Sequence, residues 1–198
     1  MIAEDFDKWR AAYDTMTFEE MAAWYDKAHA EHPVQRHFNL EAVERWLESV
    51  SQLSPFTVVE LGGYDGELAG LCLELYSISL TRWTNLEIGN VVPVCESPRY
   101  DHYQLLGFPW EINLVVPGDG FLCSHSLEHL SDAHAELMLK TVNCRHVYID
   151  MPEGDWNGAT AAHKLTMGWA GVDRLLVERG FKMDWSMPTE GEARSYSR

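Results

Sequence analysis

A turn rich in glycine and acidic residues, at residues 60–67, has the composition of a ligand-binding site. Residues 60–66 read ELGGYDG and follow the apolar, β-branched run FTVV at residues 56–59. Glycine allows the backbone to approach a ligand closely, and a carboxylate can accept hydrogen bonds from two neighbouring hydroxyl groups. Residues 67–75 continue as ELAGLCLEL, whose apolar positions have helical spacing. The pattern predicts a strand, a glycine turn and a helix, which together form a nucleotide-binding corner.

Charge indicates which kind of nucleotide this corner could hold. A dinucleotide fingerprint requires Gly-x-Gly-x-x-Gly, whereas Tyr64 and Glu67 occupy the third and sixth positions counted from Gly62. Asp65 and Glu67 would stand at the N-terminus of the helix, where a pyrophosphate would otherwise bind, and would repel it. We therefore expect a cofactor without phosphate groups.

Three segments resemble the class I S-adenosylmethionine-dependent methyltransferases. Residues 60–66 are similar to the first motif of that family, an acid followed by Gly-x-Gly-x-Gly, with Tyr64 in place of the middle glycine. Residues 120–132, GFLCSHSLEHLSD, resemble the fourth strand and the turn after it, and residues 175–182 resemble the closing helix and the start of the sixth strand. The resemblance extends over about residues 53–198. It implies an enzyme that transfers a methyl group to a small molecule or sugar, more often at oxygen than at nitrogen or carbon.

The resemblance also implies where S-adenosyl-L-methionine would bind. In the family the glycine turn wraps the methionine and ribose portions, and an acid at the tip of the next strand, here Glu87, takes the ribose hydroxyls. Adenine would lie against an aromatic residue after the third strand, although such a residue could equally belong to the core. An aromatic residue of the N-terminal segment could close over the cofactor or only anchor that segment. The expected cofactor-binding residues are Glu60, Gly62, Gly63, Tyr64, Asp65, Gly66, Glu87, Phe108, Trp110, Ser124, His125 and Tyr25.

The implied reaction is an in-line displacement in which positioning supplies most of the rate acceleration, because the sulfonium is already activated. A hydroxyl acceptor requires a base, and a histidine that titrates near neutrality suits this task. The candidates are His125 and Asp150, at the ends of the fourth and fifth strands, and His163 beyond the next loop. Trp156 and His163 are candidates for the wall of the acceptor pocket, although Trp156 could instead cover the core.

Two other functions fit parts of the sequence. His125, Glu128 and His129 match His-x-x-Glu-His, the inverted zinc-peptidase signature, which needs both histidines on one helix and a third ligand downstream. The apolar run at residues 121–123 places His125 at a strand end instead, and no third ligand is apparent, so we expect no metal site. His129 would then be a structural histidine. The other alternative is a non-catalytic Rossmann-like binding protein in which Tyr64 blocks the cofactor turn.

The elements around these residues predict an α/β chain of one domain, since 198 residues suit a single sizeable core. Residues 1–52 are predicted as an N-terminal helical cap, with Asn39 as the N-cap of its second helix, and residues 53–198 as a Rossmann-like core. Strands are predicted at Thr57–Leu61, Trp83–Ile88, Tyr103–Leu106, Phe121–Ser124, His146–Asp150 and Phe181–Trp185, with a possible short strand within 190–198. Helices are predicted at Glu67–Tyr76, Leu127–Val142 and Ala161–Arg179.

This alternation predicts a mostly parallel, twisted sheet with helices on both faces and right-handed crossovers. Prolines within residues 89–100 disfavour a helix between the second and third strands.

Composition excludes several other classes of protein. The formal net charge of −16 argues against a dedicated nucleic-acid binder. The sequence contains no apolar run long enough to span a membrane, and its first residues lack an export signal. Four cysteines without a C-x-x-C pair favour a reducing, cytoplasmic setting. We therefore expect a small-molecule acceptor as the partner, with no nucleic acid and no membrane; the sequence does not constrain the oligomeric state.

Overall fold

The computed structural model describes residues 15–31, 38–53, 55–108, 118–152, 165–189 and 191–198. Within these ranges the helices are α1 (Phe18–Glu31), α2 (Leu40–Val50), α3 (Glu67–Leu75), α4 (Asp132–Thr141) and α5 (Gly168–Glu178). The strands are β1 (Phe56–Leu61), β2 (Leu80–Glu87), β3 (Tyr100–Gln104), β4 (Gly120–Ser124), β5 (His146–Met151), β6 (Lys182–Pro188) and β7 (Glu192–Ser197). Short 3-10 turns occupy Ser51–Leu53 and Leu127–His129.

The seven strands form one sheet in the order β3-β2-β1-β4-β5-β7-β6. Strands β1 to β5 are mutually parallel, whereas β7 runs antiparallel to both β5 and β6. The strand order reverses between β1 and β4, and ligands of open α/β sheets bind at such a switch point, beyond the carboxyl ends of the strands. The predicted Rossmann-like, mostly parallel sheet is confirmed.

Helices cover both faces of the sheet, as the sequence predicts. Strand β1 alternates between the two faces, because successive side chains of a strand point in opposite directions. Phe56 and Val58 pack with α2 and α3, whereas Val59 and Leu61 pack with α4 and α5. The two faces together make a core that fixes the strand ends at which the candidate site lies.

The helix α2 begins where the sequence predicts. The side chain of Asn39 accepts a hydrogen bond from the backbone N–H of Ala42 at 3.0 Å, which satisfies a donor that the first turn leaves unpaired. Trp46 and Leu47 of this helix are fully buried against the sheet.

The helix predicted at Leu127–Val142 begins five residues later than expected. Leu127–His129 form a 3-10 turn, and Leu130 is extended. Ser131 then caps α4 by accepting a hydrogen bond from the N–H of His134. The chain turns at this point because the polar cap residue offers the backbone a better partner than a continued helix would.

The helix predicted at Ala161–Arg179 also begins later, at Gly168, and residues 161–164 of that prediction lie outside the described part. The Asp132 carboxylate accepts hydrogen bonds from the backbone N–H groups of Thr166 and Met167, which holds this segment against α4. Gly168 has a left-handed backbone with φ of 57°. This conformation marks the entry into α5.

Strand boundaries at the sheet edges differ most from the predictions. The third strand was predicted at Tyr103–Leu106 and lies at Tyr100–Gln104. It is an edge strand without a fully buried residue, so its sequence carries little apolar signal. The expected last strand lies at Glu192–Ser197.

The link between β2 and β3 contains no helix, as the prolines predict. The Arg99 side chain organises the end of this link, donating to the backbone carbonyls of Leu73, Ser77 and Leu80. No helix in the described ranges is long and apolar enough to cross a membrane. The four cysteines are free thiols.

Candidate active site

The turn after β1 contains three residues with a left-handed backbone. Gly62 and Gly66 have φ of 71° and 79°, and Tyr64 has φ of 48°. Glycine adopts such angles readily, but a side chain such as tyrosine does so rarely and at a cost. Strained residues of this kind cluster at functional sites. Tyr64 therefore has a backbone conformation that glycine adopts more readily.

Five N–H groups of this turn donate to protein acceptors. They are the groups of Gly62 (to Leu86 O, 2.9 Å), Gly63 (to Asn85 Oδ1, 2.9 Å), Tyr64 (to Glu87 Oε2, 3.0 Å), Gly66 (to Gly63 O, 3.0 Å) and Glu67 (to Asp65 Oδ1, 3.2 Å). A phosphate site at a helix N-terminus needs free N–H groups directed at the anion. These five N–H groups could contribute to such a site only if their present bonds were broken.

Glu87, at the end of β2, holds the turn in place by accepting hydrogen bonds from backbone N–H groups. Its Oε2 accepts from the N–H of Tyr64, and its Oε1 accepts from Ile88 at 2.8 Å and Gly89 at 3.2 Å. Burial raises the pKa of Glu87, whereas these three N–H donors act in the opposite direction. A carboxylate has about four acceptor positions, so about one remains for a ligand hydroxyl. The prediction that Glu87 takes the ribose hydroxyls stays a prediction.

Asn85 is a site residue that the sequence reasoning missed. It is fully buried in β2, where its Oδ1 accepts from Gly63 and its Nδ2 donates to the carbonyl of Tyr64 at 3.0 Å. The available signal was a polar residue two positions before Glu87 in an otherwise buried strand. Asn85 and Glu87 together fix the conformation of the glycine turn.

Glu60, the acid of the motif, lies beneath the turn and is almost fully buried. Its Oε2 accepts from the indole N–H of Trp83 at 2.8 Å. Burial raises the pKa of Glu60 to about 8, the bond from Trp83 opposes this, and the charge of Glu87 adds to it. A carboxyl held this way is poised to ionise when a cation comes near.

The glycines of the turn pack against protein side chains. A Cβ atom at Gly62 would lie 2.2 Å from Ser126 Oγ, and one at Gly66 would lie 2.3 Å from the Tyr100 hydroxyl. Contacts within the protein therefore also require glycine at these two positions. Their small size is also needed for the turn to pack against the end of β4 and against β3.

The ends of β4 and β5 bring His125 and Asp150 together. His125 has φ of 50°, and its N–H donates to the Asp150 carbonyl at 2.9 Å. Its side chain lies between two acids, with Nδ1 3.5 Å from Glu128 Oε1 and Nε2 3.9 Å from Asp150 Oδ1. Ser124 precedes this residue, and its hydroxyl is buried. These contacts place one histidine and two carboxylates at the switch point of the sheet.

The two acids differ in environment. Burial raises the pKa of Asp150, while hydrogen bonds from Thr189 and Tyr148 and the charge of His125 oppose that rise. Burial also acts to raise the pKa of Glu128, but His125 and His129 outweigh it and the net pKa is lowered. The surroundings therefore favour the ionised form of Glu128 and the protonated form of Asp150.

Helix α1 lies over the carboxyl edge of the sheet. The ring of Tyr25 meets that of His129 edge-on at 6.4 Å, and Asp26 Oδ1 accepts from the N–H of Asn90 at 2.5 Å. Phe18 contacts Phe108 edge-on, with ring centroids 5.4 Å apart. These contacts join α1 to the segments that follow β2, β3 and β4, where a bound ligand would lie.

Phe108 lies in the hydrophobic core, and its stacking on adenine stays a prediction. It is 5% exposed and packs against both Phe18 and His134. Three other predicted residues, Trp110, Trp156 and His163, lie outside the described ranges. Their roles stay predictions.

Comparison with known proteins gives no match to a protein-family model and none to a curated protein sequence. Solved structures do match. Magnesium protoporphyrin IX methyltransferase from Synechocystis PCC 6803, with bound SAH (S-adenosylhomocysteine), superposes with a TM-score of 0.61 at 14% identity, over 99% of this chain and 95% of that chain. The methyltransferase domain of bacterial CtHen1 gives a TM-score of 0.61 at 15% identity, over 80% of this chain and 97% of that chain. The chain has the class I methyltransferase fold.

Within this methyltransferase fold the zinc-peptidase alternative loses its geometric basis. His125 ends β4, and His129 lies in the separate 3-10 turn, so the two histidines do not share one helical face. Among the residues that the structure describes, no group of three or more His, Cys, Asp or Glu side chains is arranged to hold a metal ion.

Proposed function

We propose that the chain is an S-adenosylmethionine-dependent methyltransferase that transfers a methyl group to an oxygen atom of a small-molecule or sugar acceptor. The fold supports this proposal, since neighbours with that fold contain bound SAM (S-adenosylmethionine) or SAH and include an O-methyltransferase family 2 protein in complex with apigenin. The formal net charge of −16 and the free cysteines favour a small acceptor and a reducing, cytoplasmic setting.

The observation that carries the proposal is the hydrogen bonding of the turn after β1. Five of its N–H groups donate to Asn85, Leu86, Glu87 and the turn itself, which disfavours a phosphate ligand. What remains available at the corner is negative charge, from Asp65, Glu87 and the ionisable Glu60. Such a site favours an uncharged ribose joined to a cationic amino acid, and this combination describes S-adenosylmethionine.

The residues have distinct roles in this proposal. Glu87 uses its remaining acceptor position for a ribose hydroxyl, and Glu60 balances the positive charge of the cofactor as it ionises. Gly62, Gly63, Tyr64 and Gly66 shape the turn, Ser124 and His125 border its methionine side, and Tyr25 covers the site from α1.

The cofactor supplies a methyl group on a sulfonium, and the chain must position the acceptor and remove its proton. His125 is the proposed base, because its side chain is partly exposed and its Nε2 lies near the Asp150 carboxylate. Asp150 is fully buried, so we assign it to charge stabilisation next to His125. His163 remains a candidate for a second base or for the acceptor wall.

Calorimetric titration with S-adenosylhomocysteine tests this function, with NAD and ATP as phosphate-bearing controls. We expect saturable heat for S-adenosylhomocysteine and none for the other two. Absence of heat with folded protein, or binding of NAD or ATP in its place, would contradict the proposal.

A non-catalytic binding protein is the second candidate, and the strained backbone of Tyr64 is the observation that favours it. If the tyrosine blocks the turn, Tyr64→Gly should create S-adenosylhomocysteine binding that the original chain lacks. If the enzyme assignment is right, the original chain binds and Tyr64→Gly changes affinity only modestly.

A further inference from the structure

Glu128 is a buried acid for which the function above has no role. It is 1% exposed, and it lies in the short turn between β4 and α4. Its Oε1 is 3.5 Å from His125 Nδ1, and its Oε2 is buried with no hydrogen-bond partner among the residues that the structure describes. A buried carboxylate with an unpaired oxygen is costly, so such groups call for an explanation.

The surroundings of His125 offer an explanation for the buried Glu128 carboxylate. The positive φ of this residue and its N–H bond to the Asp150 carbonyl fix its backbone. Its ring is 20% exposed, whereas Glu128 and Asp150 on either side are buried. The imidazole is therefore the part of this cluster that an acceptor can reach, and its two nitrogens face different acids.

The geometry points to Glu128 as a positioning residue, which holds His125 with its proton on Nδ1 and stabilises the imidazolium that forms when Nε2 takes a second proton. This inference rests on the proposed function and adds to it the residue that orients the base. A carboxylate in this position fixes the tautomer of a neutral histidine, because only a protonated nitrogen can donate to it.

The step balances in atoms and charge. The acceptor hydroxyl gives its proton to Nε2 of His125, and its oxygen lone pair forms the new O–C bond. The C–S bond breaks, and its electron pair stays on the sulfur. The positive charge that leaves the sulfonium then appears on the imidazolium, between Glu128 and Asp150.

Other groups bear on the charge of this histidine. The charge of His129, the residue after Glu128, acts on the Glu128 carboxylate. Tyr148 in β5 and Thr189 after β6 donate hydrogen bonds to Asp150. Glu128 lies beside Nδ1 and Asp150 beside Nε2, so the Glu128 carboxylate favours the proton on Nδ1.

Nuclear magnetic resonance of the ¹⁵N-labelled imidazoles tests this directly in the whole chain, without an acceptor or cofactor. The His125 signal is assigned by its loss in His125→Asn. In the original chain we expect the neutral ring to carry its proton on Nδ1. Glu128→Gln keeps an acceptor oxygen but removes the charge, so the tautomer should persist while the titration midpoint falls by about 1 to 3 pH units. Glu128→Leu should lose the tautomer preference and also lower the midpoint. Glu136→Gln, at an exposed position of α4, should change neither the tautomer nor the midpoint.

Several results would overturn the inference. The first is an Nε2–H tautomer in the original chain, which can be read even if both Glu128 variants fail to fold. The second is a folded Glu128→Gln protein whose midpoint equals that of the original chain. The same proteins are also titrated with S-adenosylhomocysteine. Failure to bind it would refute the proposed function, whereas a changed tautomer or titration midpoint of His125 concerns only the present inference.

Discussion

At the scale of single residues, the site depends on buried polar side chains that bond to backbone. Asn85 and Glu87 together accept from the N–H groups of Gly63 and Tyr64, and this fixes the glycine turn. Glu60 and Glu128 are both buried acids, but with opposite pKa shifts, because Trp83 gives Glu60 one neutral donor whereas two histidines surround Glu128. Their different partners suit the two acids to different tasks.

Replacement of Glu87 by alanine tests the ribose assignment. Loss of a hydrogen bond to a charged group costs about 1.5–3 kcal/mol, so we expect S-adenosylhomocysteine to bind about 10- to 150-fold more weakly by calorimetry. The three N–H groups that lose their acceptor should also lower the free energy of unfolding. Glu74→Ala, at an exposed position of α3, is the matched control. Unchanged affinity in Glu87→Ala would refute the ribose role.

The raised pKa of Glu60 predicts a pH-dependent stability of the ligand-free chain. Its ordinary value is 4.5 and its value in the fold is about 8, so the folded chain binds this proton more tightly. The stability from Glu60 is complete below its ordinary pKa and is lost as the pH rises through about 8.

We therefore expect the free energy of unfolding of the original chain to fall, by a few kcal/mol at most, between about pH 5 and about pH 9. Glu60→Gln should lack that part of the fall in urea denaturation, and Glu96→Gln, at an exposed position, should retain it. Equal pH profiles for Glu60→Gln and the original chain would show that Glu60 titrates normally.

At the scale of elements, the turn after β1 and the turn after β4 are fitted to each other. Gly62 has no room for a Cβ because Ser126 Oγ occupies that space, and Ser126 in turn donates to the Gly62 carbonyl at 3.4 Å. Helix α1 contacts the turn after β4 through Tyr25 and His129, and the segment after β2 through Asp26 and Asn90. The site is thus made by three separate elements that meet at one sheet edge.

A double-mutant cycle tests the fit of the two turns. Gly62→Ala should destabilise the fold, because alanine at positive φ costs about 1–2 kcal/mol and its methyl group overlaps Ser126. Ser126→Gly should restore part of that loss, with a coupling of at least about 1 kcal/mol in urea denaturation. If the two substitutions changed the free energy of unfolding in a strictly additive way, a direct contact between the two turns would be contradicted.

Removal of the Tyr25 ring tests the covering role of α1. An aromatic contact is worth about 0.5–1.5 kcal/mol, so Tyr25→Ala should weaken S-adenosylhomocysteine binding about 2- to 10-fold. Tyr103→Ala, which removes an exposed ring from β3, should bind normally. Equal affinities in the two variants would assign Tyr25 to packing alone.

At the scale of the whole molecule, the central strands of the sheet are covered on both faces and the candidate site lies at their carboxyl ends. Helices α2 and α3 cover one face and α4 and α5 the other, so polar residues can meet a ligand at the carboxyl ends of β1, β2, β4 and β5. The formal net charge of −16 gives the molecule as a whole a negative field. Such a field favours a cationic cofactor and disfavours polyanions.

This field predicts the absence of sequence-independent nucleic-acid binding. Single-stranded RNA and DNA oligonucleotides should show no change in fluorescence anisotropy with the protein, even at low salt, because affinity for phosphates depends on basic side chains. A Lys- and Arg-rich protein serves as the positive control. Binding that weakens steeply with added salt would show a basic groove and would reopen the choice of acceptor.

The sequence predicted the local parts of this architecture and missed those that depend on distant contacts. The glycine turn, the Asn39 cap, the irregular link after β2 and the alternation of strands and helices all follow from residues adjacent in the chain. The starts of α4 and α5 were misplaced, because Ser131 and Asp132 set those boundaries through side-chain bonds to backbone. Edge strand β3 was misplaced because its sequence carries little apolar signal.

The sequence by itself determined the class of fold. It also determined that the turn after β1 is acidic, which disfavours a phosphate ligand. Only the tertiary structure decided that Asn85 shares the support of that turn with Glu87, and that Asp150 lies beside His125. The reason is distance along the chain: 22 positions separate Gly63 from Asn85, and 39 separate Asp150 from Thr189. No local pattern encodes such pairs, because they form only when the sheet brings its strand ends together.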